Sequence, residues 1–310
     1  FIMKPGQALE LTNFEPDVEG GYRRINGFEP YVGFVVPQTS SSTEAVLMTT
    51  VFSDYILAAR GTSIHRSAST ILTTKITSSE TMSGSGVIIA SSTTSFSASG
   101  TLIIGSEQFT YTGISTNTFT GVTRATSSTT AAAHNANVAV SESWTSIDSG
   151  RTGAKKYNFE KFNFDGSDKL IVVDQANAPT VFNTSLVATD VSTSSVAGAK
   201  HVVAFKSHMF YSGMAATPQE VVFSVPFDED NFSSGSGAGS IKVDDTIVGL
   251  KVFRDNLFIF CENRIFKLGG SSSSDFAVVP VTRNIGCING DTIQEFAGDL
   301  IFLGPDGLRT

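Results

Sequence analysis

Positive charge is scarce in this chain. Its 310 residues include 21 Lys and Arg against 29 Asp and Glu, which gives a formal net charge of −8 at pH 7. A protein that holds nucleic acid by its phosphates needs a basic face, so this composition argues against such a function. It does not argue against a wall that DNA slides past, because an acidic or neutral surface does not retain a polyanion.

Cysteine is almost absent. Cys261 and Cys287 are the only two, and without a Cys-x-x-Cys pair their spacing matches no metal-binding pattern. Cys261 follows an apolar run, and Cys287 stands in the segment Asn284–Asn289. We expect both to be buried free thiols, as in a protein that is assembled in a reducing cytoplasm.

Long hydrophobic runs are missing too. No apolar stretch approaches the about 20 residues that a membrane-spanning helix requires, and no signal peptide is visible. The sequence begins at Phe1 rather than Met, and it ends soon after the turn signal Gly304–Gly307, where a hairpin should continue. We therefore expect these residues to be the ordered part of a longer chain.

The motifs of common catalytic sites do not occur. There is no Gly-x-Ser-x-Gly turn and no Gly-x-x-x-x-Gly-Lys phosphate loop. The acidic run Asp228–Asp230 could offer oxygen ligands to calcium, but the helix-loop-helix calcium pattern is absent. His201 and His208 flank a predicted hairpin without a Cys or carboxylate in register for zinc. We predict that the protein is not an enzyme and has no catalytic, cofactor or metal-binding residues.

Short apolar runs between turn residues are abundant. Each run continues beyond a polar tip into a second apolar stretch, a pattern typical of β-hairpins. From Asp168 onward the runs recur roughly every 35 to 50 residues, the period of a propeller blade. We therefore predict an all-β fold built on a β-propeller. The five runs are Asp54–Ala59, Asp168–Asp174, Lys200–Phe205, Asp255–Phe260 and Asp299–Leu303.

Composition divides the chain into three parts. Residues 84–143 are nearly free of charge and rich in Ser, Thr, Ala and Gly, with strands of four or five residues. Such short strands suit a small β-barrel or sandwich, and a connecting loop tolerates an insertion of this size. We predict that this domain interrupts a propeller formed by residues 47–83 and 144–310, which is incomplete and continues beyond 310. Residues 1–46 are predicted to form an extended N-terminal arm.

The arm holds a cluster of positive and aromatic residues, Tyr22, Arg23, Arg24 and Phe28. We predict that this cluster is an interface with a neighbouring subunit or ring. In the alternative, its aromatic rings pack on the propeller and its arginines pair with Glu15, Asp17 or Glu19.

Several stretches resemble proteins of short-tailed phages. The arm segment Asn13–Glu29 is similar to the N-terminal arm of tail hub or nozzle proteins, the tail tubular protein B and packaged-DNA stabilisation protein class. Three segments resemble the propeller of the same proteins: Asp245–Phe260, Arg264–Leu268 and Asn284–Gly290.

A second resemblance concerns the predicted insert. Gly100–Gly113, Gly121–Arg124 and Ala131–Asn135 are similar to a small β-module found in many phage tail and fibre proteins. None of these stretches is a catalytic signature.

The resemblance implies a structural protein of the virion. It implies a homohexameric ring below the portal and adaptor ring, located in the phage tail and assembled in the host cytoplasm. The ring would form part of the DNA ejection channel and a docking platform for tail fibres, with double-stranded DNA passing between subunits without specific binding. Lys155, Lys156 and Arg254 are candidates for contact with that DNA, although they also suit a solvated surface.

Two other functions stay open. The hydroxyl-rich insert and the propeller could form an adhesin that binds host-surface carbohydrate. A propeller hydrolase acting on surface glycan is the enzymatic alternative, but fold alone is weak support for an activity.

Overall fold

The computed structural model describes residues 44–77 and 86–310 in full, together with Pro37 and the backbone of residues 14–16 and 22–24. In these ranges, the helical segments are three short 3-10 turns: Ser194–Val196, Ser234–Ser236 and Gly290–Thr292. The remaining regular structure is antiparallel β-strand. The predicted all-β class is confirmed.

The arm contributes one short hairpin. Strand β1 (Phe14–Pro16) pairs with β2 (Tyr22–Arg24), and the register places Glu15 opposite Arg23.

The first large sheet begins with three strands in chain order. These are β3 (Val46–Phe52), β4 (Tyr55–Arg60) and β5 (Ser63–Ile71). The buried Arg60 donates hydrogen bonds from Nε to Glu44 O at 2.8 Å and from Nη1 to Pro37 O at 3.0 Å. These bonds tie the chain that precedes β3 to the end of β4.

The next six strands form the region that was predicted as an insert. Their sheet follows the order β5-β11-β7-β8-β10-β6, with β9 paired to β10. Ser91 N donates to Ile71 O and Thr73 N donates to Ile89 O, so this sheet curls until its last strand lies beside the end of β5. The strands are β6 (Gly86–Ile89), β7 (Gly100–Ile104), β8 (Glu107–Tyr111), β9 (Gly113–Ser115), β10 (Thr118–Arg124) and β11 (Ala139–Glu142).

Strand β5 belongs to both regions. Ile64–Arg66 pair with β12 (Thr145–Asp148), which completes a four-stranded blade with β3 and β4. Ser69–Ile71 pair instead with β11 of the following region. One continuous strand therefore joins the first blade to the insert.

The rest of the chain repeats one unit. Three four-stranded antiparallel sheets follow each other, each with its strands in chain order, and a three-stranded sheet comes last. Their strands are β13 (Asn158–Phe162), β14 (Lys169–Val173), β15 (Thr180–Asn183), β16 (Ala188–Asp190); β17 (His201–Phe205), β18 (His208–Ser212), β19 (Glu220–Phe223), β20 (Gly239–Lys242); β21 (Ile247–Phe253), β22 (Asn256–Cys261), β23 (Ile265–Gly269), β24 (Ala277–Thr282); and β25 (Gln294–Phe296), β26 (Asp299–Gly304), β27 (Gly307–Arg309).

The sheets are arranged as the blades of a propeller. The first strands β13, β17 and β21 contact one another in succession. Apolar clusters fill the space between each blade and the next: one holds Leu57 and Phe182, another Val173 and Met209. A core that lies between the faces of successive sheets is the packing of a β-propeller, so this prediction is confirmed as well.

Burial explains why the second strands are the most apolar. Leu170–Val173 of β14 are buried without alternation, because other blades cover both faces of that strand. The outer strand β24 is mostly exposed.

The predicted apolar runs do not fall on the same strand of every blade. The runs after Asp54, Asp168, Asp255 and Asp299 are second strands, whereas the run from Lys200 is β17, a first strand. Both inner strands of that blade are buried and apolar, so composition does not distinguish them.

Candidate functional site: the inner cleft

A polar cleft lies where the first strands of the blades converge. Its volume is about 450 Å³. We call it the inner cleft and define it by its lining: Lys156, Asn158–Glu160, His201–Val203, Gly249–Val252, Gly290, Asp291, Ile293 and Gln294. Four separate parts of the chain thus contribute to one site.

A close backbone contact shapes one wall of the inner cleft. A side-chain carbon placed on Gly290 would collide with Val248 O and would lie 3.2 Å from Gly249 Cα. Only glycine therefore allows the 3-10 turn to approach β21 this closely. Gly286, four residues earlier, is in the same situation against the backbone of Glu262 and Asn263.

One ion pair spans the cleft. Lys156 Nζ lies 2.7 Å from Asp291 Oδ2, which joins the chain just before β13 to the 3-10 turn before β25. Both side chains are exposed, so the ion pair contributes little to stability. Its main effect is that each of the two charges is neutralised by the other.

Glu160 and Lys251 bring a second pair of charges to the cleft without forming an ion pair. Burial raises the pKa of Glu160, while a hydrogen bond from Ala204 N and the charge of Lys251 act in the opposite direction. The Ala204 N to Glu160 Oε1 distance is 3.4 Å. Glu160 therefore keeps a proton more readily than an ordinary glutamate.

His201 is the most deeply buried polar side chain of the lining. It is 8% exposed, and its Nε2 has no hydrogen-bond partner among the described residues. Burial lowers the pKa of His201 to about 3, assisted by the nearby charge of Lys200. The ring is therefore neutral at physiological pH.

The predicted interface cluster is only partly within the described residues. Tyr22, Arg23 and Arg24 form β2, for which the backbone alone is described, and Phe28 lies outside the described residues. Their role as an interface stays a prediction.

The acidic and histidine candidates are used locally. Glu229 Oε1 accepts from Lys169 Nζ at 2.8 Å, and Asp230 Oδ1 accepts from Ser192 N at 2.8 Å. His201 and His208 lie at opposite ends of the β17–β18 hairpin. Within residues 44–77 and 86–310, no group of three or more His, Cys, Asp or Glu side chains could hold a metal ion.

The remaining candidates are distributed over the blades. Lys156 lines the inner cleft, while Arg254 lies at the β21–β22 turn with its guanidinium 4.8 Å from the Phe253 ring centroid. Lys155 is exposed, and its backbone N donates to Asp174 O at 3.0 Å. Cys261 and Cys287 are buried free thiols.

A buried charge network in the insert was not predicted. Glu107 is fully buried and accepts two hydrogen bonds of 2.8 Å from Arg124, from Nε and Nη2. His134 Nε2 donates to it at 2.8 Å, and Ala125 N and Ala132 N complete its shell at 3.1 and 2.9 Å. This arrangement fastens the end of β10 and the segment between β10 and β11 to one carboxylate at the start of β8.

A second internal ion pair holds the insert to the first blade. Arg66 on β5 donates to Glu142 on β11 at 3.0 Å, and its guanidinium lies 4.9 Å from the Tyr55 ring centroid. Residues 84–143 contain three Asp, Glu, Lys or Arg side chains, and all three belong to these two networks.

In the described part of the chain, no helix has the length and hydropathy needed to cross a membrane. No family model matches the sequence, and no curated protein matches it.

Solved structures show distant likeness. The crystal structure of BBS1N in complex with ARL6DN, soaked with mercury, matches with a TM-score of 0.32 and 7% identity over 85% of this chain and 75% of that chain. The crystal structure of Saccharomyces cerevisiae Sqt1 matches with a TM-score of 0.29 and 11% identity over 87% and 84%. Likeness at this level indicates neither a family nor a function.

Proposed function

We propose that this protein is a structural component of a short-tailed phage virion, a hub or nozzle ring that forms part of the DNA ejection channel. Its role is mechanical. Copies of the protein form a ring that contacts the neighbouring adaptor ring, and the outer surface of this ring docks tail fibres. The proposal rests on the phage-like stretches of the sequence.

One observation carries the proposal. The residues that give the sequence its phage-like stretches make structural contacts. Gly286 and Gly290 allow close backbone approaches, and Glu107, Arg124 and His134 meet in the buried network of the insert. A sequence likeness that resides in such contacts supports a scaffold more than a reaction centre.

Electron microscopy of the purified protein tests the proposal. We expect class averages, computed without imposed symmetry, to show a closed ring with an opening wide enough for a DNA duplex. Particles that stay single with the adaptor ring present would contradict the hub assignment.

A charge reversal tests the arm. We expect Arg23→Glu plus Arg24→Glu to abolish the ring while the monomer keeps its β-sheet circular dichroism. The matched control is Lys242→Glu plus Arg283→Glu, two exposed cations on the blades. An intact ring in the arm variant would refute the interface role of Tyr22, Arg23, Arg24 and Phe28.

The adhesin is the second candidate, favoured by exposed hydroxyl side chains of the insert such as Ser91, Ser92 and Thr94. Replacing residues 84–143 by a short linker separates the two functions. If the variant forms normal rings that fail to attach to host cells, the insert is the recognition part. If the variant no longer forms rings, the insert is required for assembly.

A further inference from the structure

The inner cleft has the size of a ligand site. Its volume of about 450 Å³ lies within the range of small-molecule pockets. It is lined mainly by polar and charged groups from three blades and the turn before β25. Some of these polar groups are paired with other residues of the protein and others are not, and the unpaired groups indicate what the cleft binds.

One cation of the lining is uncommitted. Lys156 is neutralised by Asp291 at 2.7 Å, whereas Lys251 forms no hydrogen bond or ion pair with any described residue. The charge of Lys251 interacts with Glu160, but the two form no ion pair, so this half-buried ammonium can still pair directly with one carboxylate of a ligand.

Two further groups favour hydroxyls over a second charge. The neutral His201 ring leaves Nε2 without a hydrogen-bond partner among the described residues, although the side chain is buried. The carboxyl group of Glu160 accepts a long hydrogen bond from Ala204 N at 3.4 Å, so its oxygens can also accept from a hydroxyl, while its acidic character disfavours a second anionic group. A hydroxyl group donates and accepts at once and therefore satisfies both.

An aromatic ring completes the lining. Phe159 is 38% exposed although it is a large apolar side chain on an inner strand. A pyranose ring has an apolar C–H face and polar edges, so it can cover Phe159 while its hydroxyls reach the polar groups.

We propose that the inner cleft binds a single acidic sugar unit, with its carboxylate at Lys251, its hydroxyls at Glu160 and His201, and its ring on Phe159. A neutral sugar leaves Lys251 unpaired, and a simple carboxylate leaves Phe159 uncovered. This binding function goes beyond the proposed ring and does not depend on it.

Calorimetric titration of the whole protein with three probes tests the site. Glucuronate carries every required group, glucose lacks the charge, and acetate lacks the ring. We expect glucuronate to bind at least about tenfold more tightly than either, since only glucuronate both pairs with the charge and covers the ring.

Variants locate the binding. We expect Lys251→Gln to weaken glucuronate about tenfold and Phe159→Ala to weaken glucuronate but not acetate. Lys267→Gln, which makes the same change on β23 outside the cleft, should bind as the unchanged protein does. Thermal unfolding of each variant confirms that it is folded.

The outcomes separate the alternatives. Equal affinity for acetate and glucuronate, or equal loss in Lys251→Gln and Lys267→Gln, would overturn the proposal. Binding of an acidic peptide without binding of glucuronate would also overturn it and assign the cleft to a protein partner. Microscopy of Lys251→Gln should show the same particles as the unchanged protein, so failure of either proposal is visible separately.

Discussion

Arg124 donates one hydrogen bond of 2.8 Å to each carboxylate oxygen of Glu107 inside the insert. The Glu107 side chain is fully buried and that of Arg124 is 6% exposed. A buried ion pair adds little over a well-packed apolar pair, but loss of one partner strands the other charge.

Arg124→Met should therefore destabilise the insert. We expect a loss of about 3–5 kcal/mol in the free energy of unfolding, because Glu107 is left buried without its main counter-charge. Urea unfolding measures the change. Arg283→Met removes an exposed arginine and should stay within about 0.5 kcal/mol of the unchanged protein. Equal stability of the two variants would contradict the role of the pair.

Acid should weaken the same network. Burial alone would raise the pKa of Glu107, but Arg124, Ala132 N and His134 outweigh it and hold the pKa below its ordinary value of 4.5. The resulting stability is fully present above the unfolded pKa and is lost as the pH falls through the lower folded value. Unfolding free energies measured below pH 4.5 should fall less steeply in Glu107→Gln than in the unchanged protein. The exposed Glu295→Gln serves as the control, and equal slopes in Glu107→Gln and the unchanged protein would refute the prediction.

His201 should produce a separate pH dependence at milder acidity. Its folded pKa of about 3 lies below its ordinary value of 6.5, so between these values the unfolded chain takes up a proton that the folded protein does not. Stability therefore declines as the pH falls below 6.5. We expect His201→Gln to reduce that decline and NMR to show an unprotonated His201 ring at about pH 5. A ring that titrates near 6.5 would show that the site is open to water.

Gly290→Ala should disturb the inner cleft. The added carbon collides with Val248 O, so the 3-10 turn must move away from β21. We expect a loss of about 1–3 kcal/mol, typical of overpacking, which thermal unfolding would detect. Gly235→Ala is the matched control, because nothing lies within 4 Å of a carbon placed there. Equal melting temperatures would contradict the close contact.

The hairpins were predictable because their signals are local. Turn residues at Asp54, Asp168, Asp255 and Asp299 precede second strands that are rich in apolar residues. In β14 the apolar run is continuous because neighbouring blades cover both faces of the strand. Strand position within a blade was not predictable at Lys200. There the first and second strands of the blade are similarly buried, so the local sequence pattern does not show which of the two lies closer to the propeller centre.

The inner cleft could not be predicted from any motif. Its lining comes from four segments, each of which contributes a few polar residues to a strand or turn. A signal nevertheless existed on β13, where Asn158, Glu160 and Lys161 place polar groups on an inner strand. The insert network had a clearer signal, since a segment with almost no charge still contains Glu107, Arg124 and Glu142.

The continuity of β5 determines how the protein responds to tension. Strand β5 pairs with β4 along Ser63–Ala68 and Tyr55–Arg60, and the hydrogen bonds between the two strands are perpendicular to the strand direction. A force applied to the insert along β5 therefore loads all of these hydrogen bonds in shear. Bonds loaded together share the force, whereas bonds peeled from one end break in turn. The pairing of β5 with β4 should therefore withstand more force than the insert itself. In single-molecule pulling, the insert should unfold before β5 separates from β4.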